Sequence, residues 1–188
     1  MRVASLRRNP LDFYIMIKTI KNILWDKVII EGEMLDLGAG NGADAIVAVE
    51  AGFKVTAVDR NLIPETTENM SVYKVVSPIE TFTIEKDRYD FIYADNSLPF
   101  LKKTDVEKIL QDASGKLKKG GILYFSLFGV NDEWASDENM NFWTREEITD
   151  LVSTLGLALY KKVEEEGYVP KMNGETKYAH IFRFTLKK

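Results

Sequence analysis

The chain has 188 residues, 45% hydrophobic and 29% charged, with a formal net charge of −4. That is the balance of one soluble globular domain and argues against a phosphate-tracking surface, hence against nucleic acid as a partner. With no cysteine and a single histidine, His180, the chain has no disulfide, no thiolate metal site, no cysteine nucleophile and no His–His metal pair.

The basic start Met1–Arg8 is not followed by the apolar run of a signal peptide. No stretch approaches the ~18 continuous apolar residues of a membrane span. The expectation is a cytoplasmic protein, monomeric or homodimeric, organised as one domain. In residues 11–25, Phe13, Ile17, Ile20 and Leu24 fall on one stripe, which predicts an amphipathic helix within an N-terminal helical extension over 1–32. From residue 33 strands and helices alternate. Met34–Leu37 reads as a buried strand, Ala43–Ala51 as a helix stopped by Gly52, and Lys54–Val58 as a second strand. Residues 61–70, with Pro64, read as a loop or short helix. Ser71–Val76 and Tyr89–Ala94 are the third and fourth strands. A helix over 104–117 is expected with Thr104 as its N-cap, then a turn at Lys118–Gly121 and a fifth strand, Ile122–Phe128. After a polar loop over 129–142, Thr144 and Glu147 fit a capping box opening a helix to about Leu155. Leu157–Glu165 and Lys177–Leu186 have no helix between them and should pair antiparallel. The pattern implies an α/β, doubly wound, mostly parallel sheet with helices on both faces and an antiparallel C-terminal hairpin. The cofactor-binding core is expected over 33–128 and the substrate-side loop, helix and hairpin over 129–188.

Gly38-Ala39-Gly40-Asn41-Gly42 joins the first strand to a helix. Glycines there allow positive φ and close backbone approach to a ligand, and the helix offers unpaired N–H groups. Asp59 ends the second strand, where a carboxylate can accept both hydroxyl protons of a ribose. A dinucleotide and S-adenosylmethionine both suit this turn, and Gly38-x-Gly40-x-x-Ala43 satisfies the dinucleotide pattern. Asp36 separates them. A carboxylate repels a pyrophosphate at close range but favours the ammonium of a methionine moiety. A plainer role for Asp36, capping the loop through backbone N–H groups, is compatible with this.

Met34–Gly42 resembles the first motif of the class I S-adenosylmethionine-dependent methyltransferases, and Val58-Asp59 resembles the second. Pro78-Ile79-Glu80 stands where that family contacts adenine, with Pro78 in place of the acid often found there. Tyr89–Ala94 and Leu117–Gly121 resemble the fourth-strand motif and the turn before strand five. Ser97–Leu101 and Lys177–Phe182 resemble the small-molecule branch that includes tellurite-resistance methyltransferases. The resemblance implies a seven-stranded sheet whose last strand is antiparallel, S-adenosylmethionine as cofactor (leaving as S-adenosylhomocysteine), and no metal. It implies a cofactor set of Asp36, Gly38, Ala39, Gly40, Asn41, Gly42, Asp59, Arg60, Ile79, Glu80, Asp95 and Asn96.

Methyl transfer needs alignment and water exclusion more than a catalytic triad, and a base only if the acceptor must lose a proton. Asp95-Asn96-Ser97-Leu98 after strand four is not the Asn/Asp-Pro-Pro-aromatic sequence of many enzymes that methylate planar nitrogens in nucleic acids or proteins. Without cysteine, methylation of a pyrimidine ring carbon through a thiolate adduct is excluded. The expected acceptor is a small thiol, oxyanion, amine or hydroxyl compound. Asp95 and His180 are the candidate catalytic residues, each with a structural alternative: a turn cap for Asp95, a packed strand residue for His180. Trp134, Phe142 and Trp143 read as anchors of the long loop rather than pocket walls, and Asp132, Glu133, Asp137 and Glu138 as a solvated surface. Competing readings are an NAD(P)-dependent oxidoreductase, disfavoured by Asp36, a non-catalytic S-adenosylmethionine-binding module, and an rRNA or protein methyltransferase.

Overall fold

A strand apolar on both faces must be paired on both edges and covered on both sides, and Met34–Leu37 meets that condition at the centre of a sheet. The computed structural model describes residues 32–61, 71–170 and 174–188. In chain order they form β1 (Gly32–Leu37), α1 (Ala43–Glu50), β2 (Phe53–Asp59), β3 (Val72–Val76), β4 (Phe91–Ala94), α2 (Lys103–Lys116), β5 (Ile122–Phe128), α3 (Arg145–Thr154), β6 (Ala158–Pro170) and β7 (Thr176–Lys187). The sheet order is β3-β2-β1-β4-β5-β7-β6. The first five strands run parallel and β7 pairs antiparallel with both β5 and β6.

Each face has its own core. On one, Leu35, Ile92, Leu123, Phe125 and Phe184 pack against Val106, Ile109 and Leu110 of α2 and Ile148 and Leu151 of α3. On the other, Met34, Val55, Phe91 and Ile122 meet Ala45, Val47 and Ala48 of α1. The doubly wound sheet and its antiparallel hairpin are therefore as the sequence implies. None of the described helices is long and apolar enough to cross a membrane.

Several boundaries move. Lys102, not Thr104, holds the N-cap position of α2 and offers no side-chain cap. Thr104 lies inside the first turn because Asp105 N–H and Val106 N–H already bond back to the Lys102 carbonyl. β4 begins at Phe91 rather than Tyr89. β6 continues five residues past Glu165 because Glu166 to Pro170 keep pairing with β7, so the hairpin is longer than its composition suggests. Short 3₁₀ turns at Ile79–Thr81 and Leu98–Phe100 carry no sequence signal of their own. The Thr144–Glu147 capping box is present with both of its hydrogen bonds. The helix over 11–25 with its N-terminal extension, and the loop from residue 62 to 70, lie outside the described residues.

One of the four acids read as a solvated surface is instead buried. Asp132 is 3% exposed, and its carboxylate accepts hydrogen bonds from Lys177 Nζ at 2.9 and 3.1 Å, from Trp134 N–H and from His180 N–H. The Lys177 ammonium lies 3.4 Å from the Trp134 ring centre and 4.7 Å from that of Phe128. This cluster ties the loop after β5 to the start of β7. Removing one partner of a buried pair strands the other charge, at about 3–5 kcal/mol. An i,i+4 helix pair such as Asp112–Lys116 contributes about 0.3–0.5 kcal/mol. Lys177→Met is expected to lower unfolding stability several-fold more than Lys116→Met in paired denaturant titrations. Equal losses would refute the burial argument.

Candidate functional site

The strand order reverses between β1 and β4, and the two turns leaving those strands meet there, where ligands bind in open α/β sheets. After β1, Gly38 and Ala39 donate to the Val58 carbonyl at 2.8 and 3.0 Å, which folds the loop over the end of β2. After β4, Ser97 Oγ donates to the Leu37 carbonyl at 2.7 Å. The approach is close enough that a Cβ on Gly38 (φ +85°) would stand 2.2 Å from the Ser97 Cβ. Gly40 has the opposite surroundings, since nothing lies within 4 Å of where its Cβ would be. Gly42 occupies the N-cap of α1 in the left-handed region with no side-chain cap. Asn41 Oδ1 accepts only a long bond, 3.3 Å, from Ala43 N–H.

These turns surround a cavity of about 430 Å³. Gly38 and Gly40 line one wall and Asp59, Arg60 and Asn61 a second. Ile79 from the 3₁₀ turn after β3 and Asn96, Ser97, Phe100 and Leu101 from the turn after β4 complete it. Asp59 Oδ2 accepts from Gly40 N–H at 2.9 Å and Oδ1 from Asn61 N–H at 2.8 Å. A carboxylate has about four acceptor positions, so Asp59 keeps capacity for ribose hydroxyls. Arg60 and Glu80 form an ion pair at 3.6 Å; Glu80 is not among the lining residues.

Beside the cavity, on the α1 face, the sheet turns polar toward its carboxyl end. Met34, Phe91 and Ile122 form an apolar rung. Two residues on, Asp36 pairs with Tyr93, Tyr93 with Tyr124 and Tyr124 with Thr185. Two further on come Gly38, Asp95, Ser126 and Arg183, the last two directly paired. Period-2 alternation puts the strand residues among these on one face, with Gly38 and Asp95 just beyond the ends of β1 and β4. Tyr93 and Tyr124 stack with ring centres 5.0 Å apart. Tyr93 donates to Asp44 Oδ2 of α1 at 3.2 Å and Tyr124 to Asp95 Oδ1 at 3.3 Å. Asn96, at φ 52°, donates its N–H to Ser126 Oγ at 2.8 Å.

Asp36 is 2% exposed and its buried Oδ2 has no hydrogen-bond partner. Burial, with Asp44, Asp95 and Asp59 nearby, holds its carboxyl well above the ordinary carboxylate range. Burial also raises Asp95, opposed by the Arg183 charge and by hydrogen bonds from Ser126, Tyr124 and Tyr93. Both tyrosines are pushed far up by burial and the adjacent carboxylates. A buried, unbonded carboxylate oxygen is a costly group that a cation would satisfy. That oxygen, with the open backbone at Gly40, fits the ammonium and nucleoside ends of S-adenosylmethionine.

His180 stands apart. It is 3% exposed, its Nδ1 accepts from Asn131 N–H at 3.3 Å and its Nε2 lies 3.0 Å from Glu164. A Cβ on Gly129 would stand 2.1 Å from Nδ1, so the imidazole packs directly on the start of the post-β5 loop. Trp143 is 2% exposed, as an anchor should be. Sequence reasoning missed Asp44, Tyr93, Tyr124, Ser126 and Arg183, because their convergence depends on strand register. It also missed Asn141, whose Nδ2 donates to the Leu98 and Leu101 carbonyls at 2.7 and 2.9 Å and holds the turn after β4.

Solved structures share this fold at low identity. TehB from Haemophilus influenzae is 19% identical with a TM-score of 0.74, over 91% of this chain and 62% of that one. N-methyltransferase NodS from Bradyrhizobium japonicum is 15% identical with a TM-score of 0.72, over 96% and 97%. A third, 1,6-didemethyltoxoflavin-N1-methyltransferase from Burkholderia thailandensis, holds 1,6-didemethyltoxoflavin and S-adenosylhomocysteine; it is 21% identical with a TM-score of 0.68, over 92% and 78%. This chain thus spans less than two thirds of TehB. At these identities the likenesses speak for the fold. No curated protein matches the chain significantly. The methyltransferase-domain family matches residues 15–162, most of the chain and all of the cavity, and the protein belongs to that family as a class I methyltransferase whose methyl donor is S-adenosylmethionine.

Proposed function

We propose that the protein methylates a small molecule by direct in-line transfer. The donor's adenosine half lies in the cavity, with its ribose on Asp59, its adenine between Ile79 and the turn carrying Phe100 and Leu101, and its ammonium at Asp36. Gly38 to Gly42 supply backbone N–H groups and close approach, and Arg60, Glu80 and Asn96 border the same ligand. Residues 129–188 form the acceptor side. S-adenosylmethionine brings an already activated methyl group, so the chain's own contribution is to orient, to exclude water and to hold charge.

The observation that carries the small-molecule reading is burial at the carboxyl end of β5, beside the cavity. Tyr124 is 3% and Ser126 0% exposed, so a nucleophile at the end of a bulky polymer reaches this corner poorly. The Burkholderia thailandensis relative, which holds the small molecule 1,6-didemethyltoxoflavin, is consistent with this. Radiolabelled methyl transfer from S-adenosylmethionine into a cell extract, followed by size fractionation, is expected to label the low-molecular-mass fraction. Label confined to RNA or protein would overturn the reading. Calorimetry should give saturable binding of S-adenosylhomocysteine, weakened about ten- to a hundredfold by Asp59→Ala, the range of one lost charge-assisted hydrogen bond.

Asp36 carries a prediction with opposite signs for stability and binding. Its folded-state carboxyl is raised by burial, so its stabilising contribution exists below the ordinary carboxylate range and is lost as pH rises through the raised value. At neutral pH, therefore, the buried acid opposes folding of the ligand-free protein, because the unfolded chain ionises it more readily. Asp36→Asn is expected to raise the unliganded melting temperature at pH 7 and to weaken S-adenosylhomocysteine about tenfold or more. A mutant with lowered stability and unchanged binding would remove Asp36 from the cofactor site.

A further inference from the structure

We propose that Asn141 is a positioning residue for the methyl donor: its side-chain amide sets the wall that Phe100 and Leu101 present to the cavity, and through Trp143 it makes the loop after β5 respond to whether the donor is bound. This rests on the donor placement above and goes beyond it by naming the residue that joins the donor site to the acceptor side.

The wall is the short 3₁₀ turn Leu98–Phe100 with Leu101 after it. Its first residue is anchored by packing, since Leu98 is fully buried in the core on the α2 and α3 face. Its far end is not: Phe100 is 54% exposed, and Phe100 and Leu101 line two cavities. One is the cavity described above. The other, of about 590 Å³, is completed by Lys102, Lys103 and residues 138–142 of the loop after β5. A segment bordered by two cavities is not fixed by packing alone, so the partners of its carbonyls decide where it stands.

Asn141 supplies those partners. Its backbone N–H donates to the Pro99 carbonyl at 2.8 Å, and its Nδ2 donates to the Leu98 and Leu101 carbonyls at 2.7 and 2.9 Å. Its Oδ1 accepts from the Trp143 indole. An indole N–H only donates, so the amide can point only one way, oxygen to Trp143 and nitrogen to the turn. Asn141 is 5% and Trp143 2% exposed, so losing any of these bonds leaves a buried polar group unpaired. Trp143 in turn ties the loop to β5. Its N–H donates to the Phe128 carbonyl at 2.9 Å and its carbonyl accepts from Val130 N–H at 3.2 Å, while the next residue, Thr144, caps α3. A donor base pressed on Phe100 and Leu101 therefore bears on Asn141, and Asn141 bears on Trp143. Coupling of this kind is reciprocal: an arrangement of the loop that the bound donor favours tightens the donor by the same factor.

The test uses the full chain and begins with calorimetry of S-adenosylhomocysteine on the wild-type protein and on Asp59→Ala. No binding, or binding indifferent to Asp59→Ala, would refute the donor placement and the proposal with it, and is distinguishable from failure at the next stage. Asn141→Asp keeps the side-chain volume and an acceptor for Trp143 but offers the turn's carbonyls oxygen in place of N–H. It is expected to weaken S-adenosylhomocysteine about fivefold or more, the low end of coupling between sites. Ile148→Val, a core truncation on α3, is expected to leave the affinity unchanged at a temperature where both variants are folded. The chain has three tryptophans, Trp25, Trp134 and Trp143, so Trp143→Phe assigns the Trp143 indole N–H signal by NMR. That signal is expected to shift saturably with S-adenosylhomocysteine in the wild type, although Trp143 is not among the lining residues, and to shift severalfold less in Asn141→Asp. Asn141→Ser, which keeps one donor on a shorter side chain, serves in its place if Asn141→Asp does not fold. Unchanged affinity in the Asn141 variant, a loss no greater than in Ile148→Val, a Trp143 signal unmoved at saturation, or an equal shift with and without Asn141 would overturn the proposal.

Discussion

The site depends on two backbone turns approaching within van der Waals distance, and the absent side chain of Gly38 permits it. The donated bond from Ser97 to the Leu37 carbonyl fixes the turn after β4 against the turn after β1. Any Cβ on Gly38 would drive the two apart. With that contact made, Asn96 and Phe100 reach the cavity that Gly40 and Asp59 line from the other side. A sheet order that placed β4 elsewhere than beside β1 would leave half a cavity. The family's glycine-rich turn is therefore as much a packing requirement as a ligand-binding one.

The α1 face shows how one sheet serves stability and chemistry along the same strands. Toward the amino ends, Met34, Phe91 and Ile122 are buried and apolar. Toward the carboxyl ends the same register lines bear Asp36, Tyr93, Tyr124, Asp95, Ser126 and Arg183. Each of those groups loses water on folding, and the hydrogen bonds among them return part of what is lost. Asp36 Oδ2 and Arg183 Nε remain without a partner among the described residues. Polar atoms in that state mark places where the fold is not at its stability optimum, as functional sites commonly are not.

The sequence announces what is local and leaves out what needs register. The glycines, Asp36 and Asp59 can be read directly because a turn, a strand end and a spacing of some twenty residues suffice to define them. The antiparallel hairpin is legible because too few residues separate its strands for a crossover. Tyr93 and Tyr124 read as ordinary apolar positions in strands, since nothing in either segment says that they stack. Arg183 and Ser126 meet only because β7 returns antiparallel in one particular register. Asp132 reads as one of four loop acids, and only its pairing with Lys177, 45 residues on, explains why it alone is buried. Thr104 misleads for a simpler reason: a good capping residue does not start a helix when the chain has already turned two residues earlier.

The loop after β5 then has a clear mechanical role. Its first half is held to β7 by Asp132, Lys177 and His180, and its second half reaches back through Asn141 to the carbonyls of Leu98 and Leu101. Those carbonyls belong to the turn that lines the cavity. The hairpin, which contributes no residue to that cavity, is thus coupled to it through a buried ion pair, one loop and one asparagine. A family in which acceptor chemistry varies while the donor stays constant needs such an arrangement, because the loop can change its exposed middle while both of its ends remain fastened. In this chain the exposed middle spans Ala135 to Asn139, between the two fastenings, and on the function proposed above it is the stretch where variation alters acceptor recognition while the cavity keeps its lining.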